Sequence, residues 1–375
     1  MIRKILSYLL GAVFFFLLIA ARPWQRNYTR SNEQQEEQIE HGGAVKSQDA
    51  EKFSPGKFIF EHIGDAYEWH ILTYKDFHLS IPLPVIVYSK TRGLNIFLFS
   101  KFHHGLSEYN GFKYETEGDN EGKVVEILDD GIAIRPVLDI SFTKNALAIL
   151  ISLILILWIF LSAAKAYRDR PGKAPSGIQN VVEPFIIFVR DEIAIPSIGH
   201  KNYERFMPYL LSVFFFIWIN NMIGLIPVFP GGANVTGNIA VTMFLALFTF
   251  TITTISGNKN YWKHIINPPG IPWWLKIPLP LIPVIEIVGM IIKPIVLMIR
   301  LFANITAGHI IALGFFSLIF IFGEMQVAIG YAVSPITIAF TMFMTMIELL
   351  VALIQAFVFT LLSSLYFGMA IEEHH

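Results

Sequence analysis

The chain has 375 residues, of which 54% are apolar and only 15% charged, and its mean hydropathy is +0.54. Charged residues make up about a quarter of an ordinary soluble domain, so a soluble globular fold is excluded for most of the length. A net charge of −1 provides no bulk field for nucleic acid. The absence of cysteine removes disulfides, thiolate zinc sites and iron–sulfur clusters while leaving the redox compartment open.

The first element has the form of a targeting segment over 1–22: Arg3 and Lys4 precede an apolar run from Ile5 to Ala20, then Arg22 and Pro23. Leu18 or Ile19 stands where a cleavage site prefers a small residue, so an uncleaved anchor is the alternative. Residues 23–56 are polar and acidic, with Glu33, Glu36, Glu37, Glu40, Asp49 and Glu51, the composition of a disordered linker. Over 57–140 the stretches "KFIFEHI", "WHILTY", "FHLSIPLPVIVYS", "LNIFLFS" and "KVVEILDDGIAI" alternate as strands do. Gly93, Gly111, Gly118 and Gly131 punctuate them, giving a small β-rich domain. Its histidines (His62, His70, His78, His103, His104) have no ligand spacing and are read as surface or packing residues.

Five nearly uncharged runs follow, at 145–164, 207–229, 236–255, 281–322 and 332–370. Each is long enough to cross a hydrocarbon core of about 30 Å. The loop after the first carries Lys165, Arg168, Arg170 and Lys173 against Asp169, and the loop after the third carries Lys259, Lys263, His264 and Lys276 with no acid. Both are therefore expected on the cytoplasmic side. The loops near 226–236 and 323–334, with Glu324 as their one charge, face outward, as does the N-terminal domain; the tail "IEEHH" faces inward. Between the first two spans, 177–199 mixes Val181, Val182, Phe185, Ile186, Val189 and Ile193 with Glu183, Arg190, Asp191 and Glu192. That pattern fits an amphipathic interfacial helix or, equally, a half-buried connecting helix. The expected fold is an all-α polytopic membrane protein, with about five membrane-embedded helices plus an interfacial helix over 145–372. It includes a long tilted C-terminal helical hairpin (281–370) and carries a small β-rich extracytoplasmic N-terminal domain. As one helix, 281–322 would be about 60 Å long, twice the membrane requirement, so tilt or a kink at Pro294 must absorb the excess.

An ionisable group at mid-membrane costs about 2.5–3.5 kcal/mol on insertion scales and is a functional candidate by default. The fourth run holds Glu286, Lys293, Arg300 and His309; the fifth holds Glu348. Snorkelling or a structural ion pair is the plain alternative, strongest for Glu286 and Lys293 and weakest for Arg300, which "IVLMIRLFANITAG" surrounds with apolar residues. Glu286, Lys293 and Arg300 recur every seven residues along one stripe, with Asn304 one turn past Arg300. Folding the two runs about a turn near residue 328 sets Arg300 opposite Gln355 and His309 opposite Glu348. A His–Glu pair exchanges protons near neutral pH. Arginine stays charged at any physiological pH, suiting a fixed gate that attracts a carboxylate and blocks leakage. The chain holds no second carboxylate array, so the proton carrier must sit on a partner.

These residues resemble those of the F-type ATP synthase subunit a. "EIVGMIIKPIVLMIRLFANITAGH" resembles that family's essential-arginine helix, "ELLVALIQAFVFTLLSSLYFGMAI" its last helix, and "NNMIGLIP" its second full span. The resemblance covers about 145–372. It implies that Arg300 is the essential arginine, that Asn304 and Gln355 are polar neighbours on the path, and that Glu286 belongs to the cytoplasmic exit. Lys293 and Glu183 are secondary candidates. Relative to many bacterial members, the histidine and acid at 309 and 348 are exchanged, as in mitochondrial-type members, which preserves the pair. The implied partners are a ring of c subunits bearing ion-carrying carboxylates, b-type peripheral-stalk subunits, the lipid bilayer and protons, in a bacterial inner membrane. No cofactor, metal, nucleic acid or bound nucleotide is implied, and this would be a non-catalytic channel subunit. A secondary transporter is the rival reading, although the internal repeats usual there are absent. GxxxxGK[ST], HExxH and GxSxG, the marks of a stand-alone enzyme, are absent too.

Overall fold

A computed structural model of the chain describes residues 53–74, 77–105, 107–116, 120–128, 131–226, 231–266 and 281–372. The expected targeting segment, most of the linker and the final histidines lie outside the described residues. The first described element is a helix, α1 (Pro55–Ile63), where alternation had suggested a strand and a linker had been expected to reach residue 56. Its Pro55 sits at the first helical position, where a missing N–H costs nothing. Phe58 and His62, one turn apart, share a face with ring centroids 6.2 Å apart. Tertiary packing of that face overrides the local alternation.

The N-terminal module is otherwise β-rich. Strands β1 (Glu68–Tyr74) and β2 (Phe77–Pro82) pair antiparallel. Strand β3 (Pro84–Ser89) lies between β4 (Gly93–Leu98) and the short β8 (Leu138–Asp139). Strand β5 (Phe112–Glu115) pairs with β6 (Lys123–Ile127), and β6 with β7 (Ala133–Ile134). Val85, Val87, Phe97, Phe112 and Val124 from the strands, with Phe102 from the 3-10 helical turn Phe99–Gly105, form its small core.

Five helices are long and apolar enough to cross a membrane: α2 (Lys144–Asp169), α5 (Tyr203–Leu225), α6 (Ile239–Ser256), α8 (Leu281–Met325, apolar enough from Val284) and α9 (Val327–Ile371). Thr143 caps α2 by accepting from the Ala146 amide, and Asn238 caps α6 by accepting from the Ala240 amide. The segment between the first two spans is helix α3 (Ile178–Phe188), a π-helical turn (Val189–Ala194) and one helical turn, α4 (Ile195–Ile198). A short α7 (Lys259–Ile266) follows α6.

The loop expected over 323–334 contracts to one residue, Gln326, between the two longest helices. Gly323 and Gly330 permit this tight return: a Cβ on Gly330 would sit 2.8 Å from the Gly323 Cα. Helix α8 runs unbroken through Pro294, so its excess length is taken up without a break there.

Helix α5 is the central post. Its Phe206, Leu210, Leu211, Phe214 and Ile217 are buried, with Phe206 stacked on Phe367 of α9 at 4.8 Å. Small polar groups bind the helices where lipid offers no hydrophobic drive. Tyr209 Oη and Thr249 Oγ1 lie 2.8 Å apart, and Thr249 Oγ1 and Ser363 Oγ 3.3 Å apart, tying α5, α6 and α9 together. Gly368 of α9 approaches the Ser197 carbonyl so closely that any Cβ there would overlap it.

The β-rich module is docked on this bundle. Trp69 Nε1 donates to the Gly231 carbonyl at 3.1 Å, and the Trp69 ring joins the bundle core. Phe53 and Phe58 pack on Phe320 of α8, and the Phe53 amide donates to Glu324 Oε1 at 2.7 Å.

Candidate functional site

Helices α8 and α9 form an antiparallel hairpin whose register is fixed by four contacts. From the tip inward these are Gly323 with Gly330, Phe315 with Phe340 (centroids 4.0 Å apart), Gly308 with Glu348, and Lys293 Nζ 5.6 Å above the Tyr366 ring. The halfway points of these pairs drift from 326.5 to 329.5, as in helices that cross at an angle.

Arg300 is exposed on α8, as are Val296, Ala303, Asn304 and Ala307, which share its face by helical spacing. A guanidinium thus stands on a face of small and apolar residues. Leu297 and Leu301, on the flank beside it, are buried in the bundle. Arg300 lies within electrostatic reach of Tyr366. Gln355 is buried on α9, 6% exposed, and no hydrogen bond joins it to Arg300 among the described residues.

The Glu348 side chain lies directly over Gly308. A Cβ at Gly308 would overlap Glu348 Oε1 and come within 3.1 Å of Cδ and Cγ. This brings Glu348 to the residue before His309, although the two side chains make no hydrogen bond with each other among the described residues. His309 turns instead towards α5, its Nε2 being 4.0 Å from where a Gly224 Cβ would stand. His62 and Lys144 are the charged groups acting on it electrostatically. Glycines at 224 and 308 therefore make the room that these two titratable groups occupy.

Polar groups that sequence reasoning passed over surround this region. Asn221 of α5 donates from Nδ2 to the Ala352 carbonyl at 3.4 Å, and its Oδ1 accepts from Thr236. Among the described residues, buried Glu348 Oε1, Thr306 Oγ1, Asn220 Oδ1 and Asn234 Nδ2 have no protein partner. An unpartnered buried polar atom costs about 1–3 kcal/mol unless water satisfies it, and sites with several polar groups are where buried water resides. Asn220 and Asn221 in the middle of an apolar helix were the available signal.

The remaining candidates sit elsewhere. Lys293 lines a cleft with Met290, Tyr366, Thr253 and Tyr261, away from the hairpin tip. Glu286 is partly buried near the start of α8. Glu183 is on α3 against α2, beside the Tyr167 hydroxyl, with Oε2 buried.

The profile of the family "ATP synthase A chain" matches residues 146–368, more than half the chain and all five long helices. The chain belongs to the ATP synthase A chain family. Among curated relatives, the ATP synthase subunit a of Chloroherpeton thalassium is 39% identical over 245 residues, covering 63% of this chain and 69% of its own length. ATP synthase subunit a 2 of Chlorobaculum tepidum is 44% identical over 238 residues, covering 62% and 64%. ATP synthase subunit a of Anaeromyxobacter sp. is 34% identical over 283 residues, covering 72% and 64%. The chain thus spans about two thirds of the length of these relatives. The β-rich module matches a separate family, a domain of unknown function (DUF8433), over 58–140. Membership of the ATP synthase A chain family accords with a multi-pass membrane protein.

Proposed function

We propose that this chain is the proton-conducting stator subunit of an F-type ATP synthase, in which Arg300 separates two aqueous half-paths and faces a rotating ring of c subunits. The observation that carries this reading is the exposed guanidinium of Arg300 on the face of α8 that also carries Val296, Ala303, Asn304 and Ala307. A permanent cation facing hydrocarbon is costly; facing a carboxylate on a second protein, it is paired. Small residues beside it let a partner helix approach closely.

A ring carboxylate reaching Arg300 gives up its proton to one half-path, is held as the anion by the guanidinium, and moves on to be reprotonated from the other. His309, Glu348, Thr306, Asn220, Asn221 and Asn234 form the half-path on the side of the hairpin tip. Glu286, with Lys293 and the cleft beside Tyr366, lies on the opposite half-path. Asn304 and Gln355 flank the gate, and Glu183 remains a secondary candidate at the base of α2. The basic loops put the tip, the β-rich module and the outer half-path outside the cytoplasm. The peripheral stalk of b-type subunits would hold the chain against the turning ring.

ATP-driven proton pumping in inverted vesicles, measured for native complex and for Arg300→Ala at matched assembly, tests the reading. Loss of pumping with the complex intact is the expected result. Normal pumping would leave Arg300 a structural residue and remove the gate from the mechanism.

A further inference from the structure

Helix α1 and the turn after it bring titratable groups of the N-terminal module against α8 and the start of α2. Phe53 and Phe58 anchor α1 on Phe320, and the Glu324 carboxylate accepts from the Phe53 amide. At the other end of α1, Lys144 Nζ donates to the His62 carbonyl at 3.1 Å, while Asp65 Oδ1 accepts from the Asn145 amide at 3.0 Å at the start of α2. Trp69, bonded to the Gly231 carbonyl, closes the same junction. The module is thus fastened to α8 through Phe53 and Phe58, to Gly231 through Trp69, and to the start of α2 through residues 62 and 65, where α1 ends. At that place the exposed His62 stands within electrostatic reach of His309.

We propose that His62 is the outermost proton-handling residue of the outer half-path, and that the N-terminal module serves to hold it there. The imidazole takes a proton from the external aqueous phase, passes it inward to the His309 and Glu348 groups, and returns to its neutral form. No bond other than those to the proton changes. Among the described residues, Lys144 on α2 is bonded to the His62 carbonyl, His309 on α8 is within electrostatic reach, the Phe58 ring lies beside the imidazole, and Asp65 follows in the adjoining turn. Histidine suits the position because its charge changes between about pH 5 and 8. The inference rests on the stator reading above and adds a residue from outside the matched helical region.

His62→Gln is a clean test, because Lys144 is bonded to the backbone carbonyl of residue 62 and that bond survives the substitution. The assembled complex is reconstituted in liposomes, and ATP synthesis is followed as the pH on the outer side of the subunit is varied, with Glu348→Ala in parallel. Expected for His62→Gln is a fall of about tenfold, less than the 10²–10⁴ of a fully positioned acid or base because water partly substitutes, together with loss of one titration step. A native rate, or a slower rate with an unchanged pH profile, in His62→Gln while Glu348→Ala is impaired would overturn the assignment of His62 and leave the stator reading standing. Native behaviour in both variants would remove the relay itself and His62 with it.

Discussion

Helices α5 and α8 are both apolar membrane helices, yet 78% of the apolar window of α5 is buried within the chain and only 6% of that of α8. Hydropathy does not separate them, since both are apolar enough to cross a membrane. What separates them is what they pack against. Helix α5 is ringed by aromatic contacts, such as Phe185 on Trp218 at 4.4 Å and Phe160 edge-on to Phe215 at 5.0 Å. Helix α8 is buried at Leu297 and Leu301 but presents Ile292, Val296 and Ile299 outward beside Arg300. In a membrane protein the folded interior and an outward surface can be equally apolar, and a charge on the less buried helix sets the proposed partner surface apart.

The strongest way to test that contrast is to remove volume from the post. Phe214 is fully buried in α5. A Phe→Ala change costs about 3–5 kcal/mol in a water-soluble core, but lipid is itself apolar, so mainly the packing and cavity share survives. Phe214→Ala should therefore lower the stability of the purified chain by about 2 kcal/mol, read as a drop in thermal midpoint in detergent; a midpoint at the native value would end the description of α5 as the post. The converse experiment is Ala303→Trp, on the exposed face. Surface substitutions usually stay within about 0.5 kcal/mol, so the isolated chain should melt normally. Co-purification with the ring and proton pumping should nevertheless fall at least about tenfold, a 1.4 kcal/mol effect. Normal assembly and pumping with a tryptophan there would show that nothing docks on that face.

Gly308→Ala is expected to act more mildly. The added methyl must push Glu348 aside, so proton flux should fall about fivefold, roughly 1 kcal/mol in barrier terms. Alanine favours helix over glycine by about 1 kcal/mol, so the thermal midpoint should not fall. Loss of flux with a steady or raised midpoint isolates the position of Glu348 as the cause, whereas native flux would show that Glu348 need not occupy that seat.

The long helices were legible because uncharged runs of that length have one economical fate. Arg300 and His309 stood out for the same reason. The pivot of the hairpin was legible near 328 from the spacing of polar residues, but the tip was not, since only close approach of Gly323 and Gly330 reveals that Gln326 alone makes the turn. Alternating Phe58 and Phe60 made α1 read as a strand; the helix is set by Phe320, hundreds of residues away. The junction of His62, Asp65, Lys144 and Asn145 was invisible for the same reason. Its bonds join residues 80 and 82 positions apart, and no periodicity encodes them.

That junction yields the smallest and most specific expectation. Loss of solvent at the docking site pushes the Asp65 carboxyl above the usual carboxylate range, against the opposing pull of the Asn145 amide, the Thr143 hydroxyl and the Lys144 charge. A carboxyl whose pKa is raised on folding binds its proton more tightly in the native state. Its contribution to stability is then fully present below the unfolded value near 3.8 and is lost as pH rises through the higher folded value. Asp65→Asn keeps an oxygen for the Asn145 amide and removes the charge. The variant should retain the docked module and lack this decline, giving a flatter profile of thermal midpoint against pH above 3.8 than the native chain. A parallel profile would mean that Asp65 titrates as freely in the folded protein as in the unfolded one. The module would then not be seated tightly enough on α2 to exclude water from the carboxyl, and the contrast between buried post and open face would stop at the membrane helices.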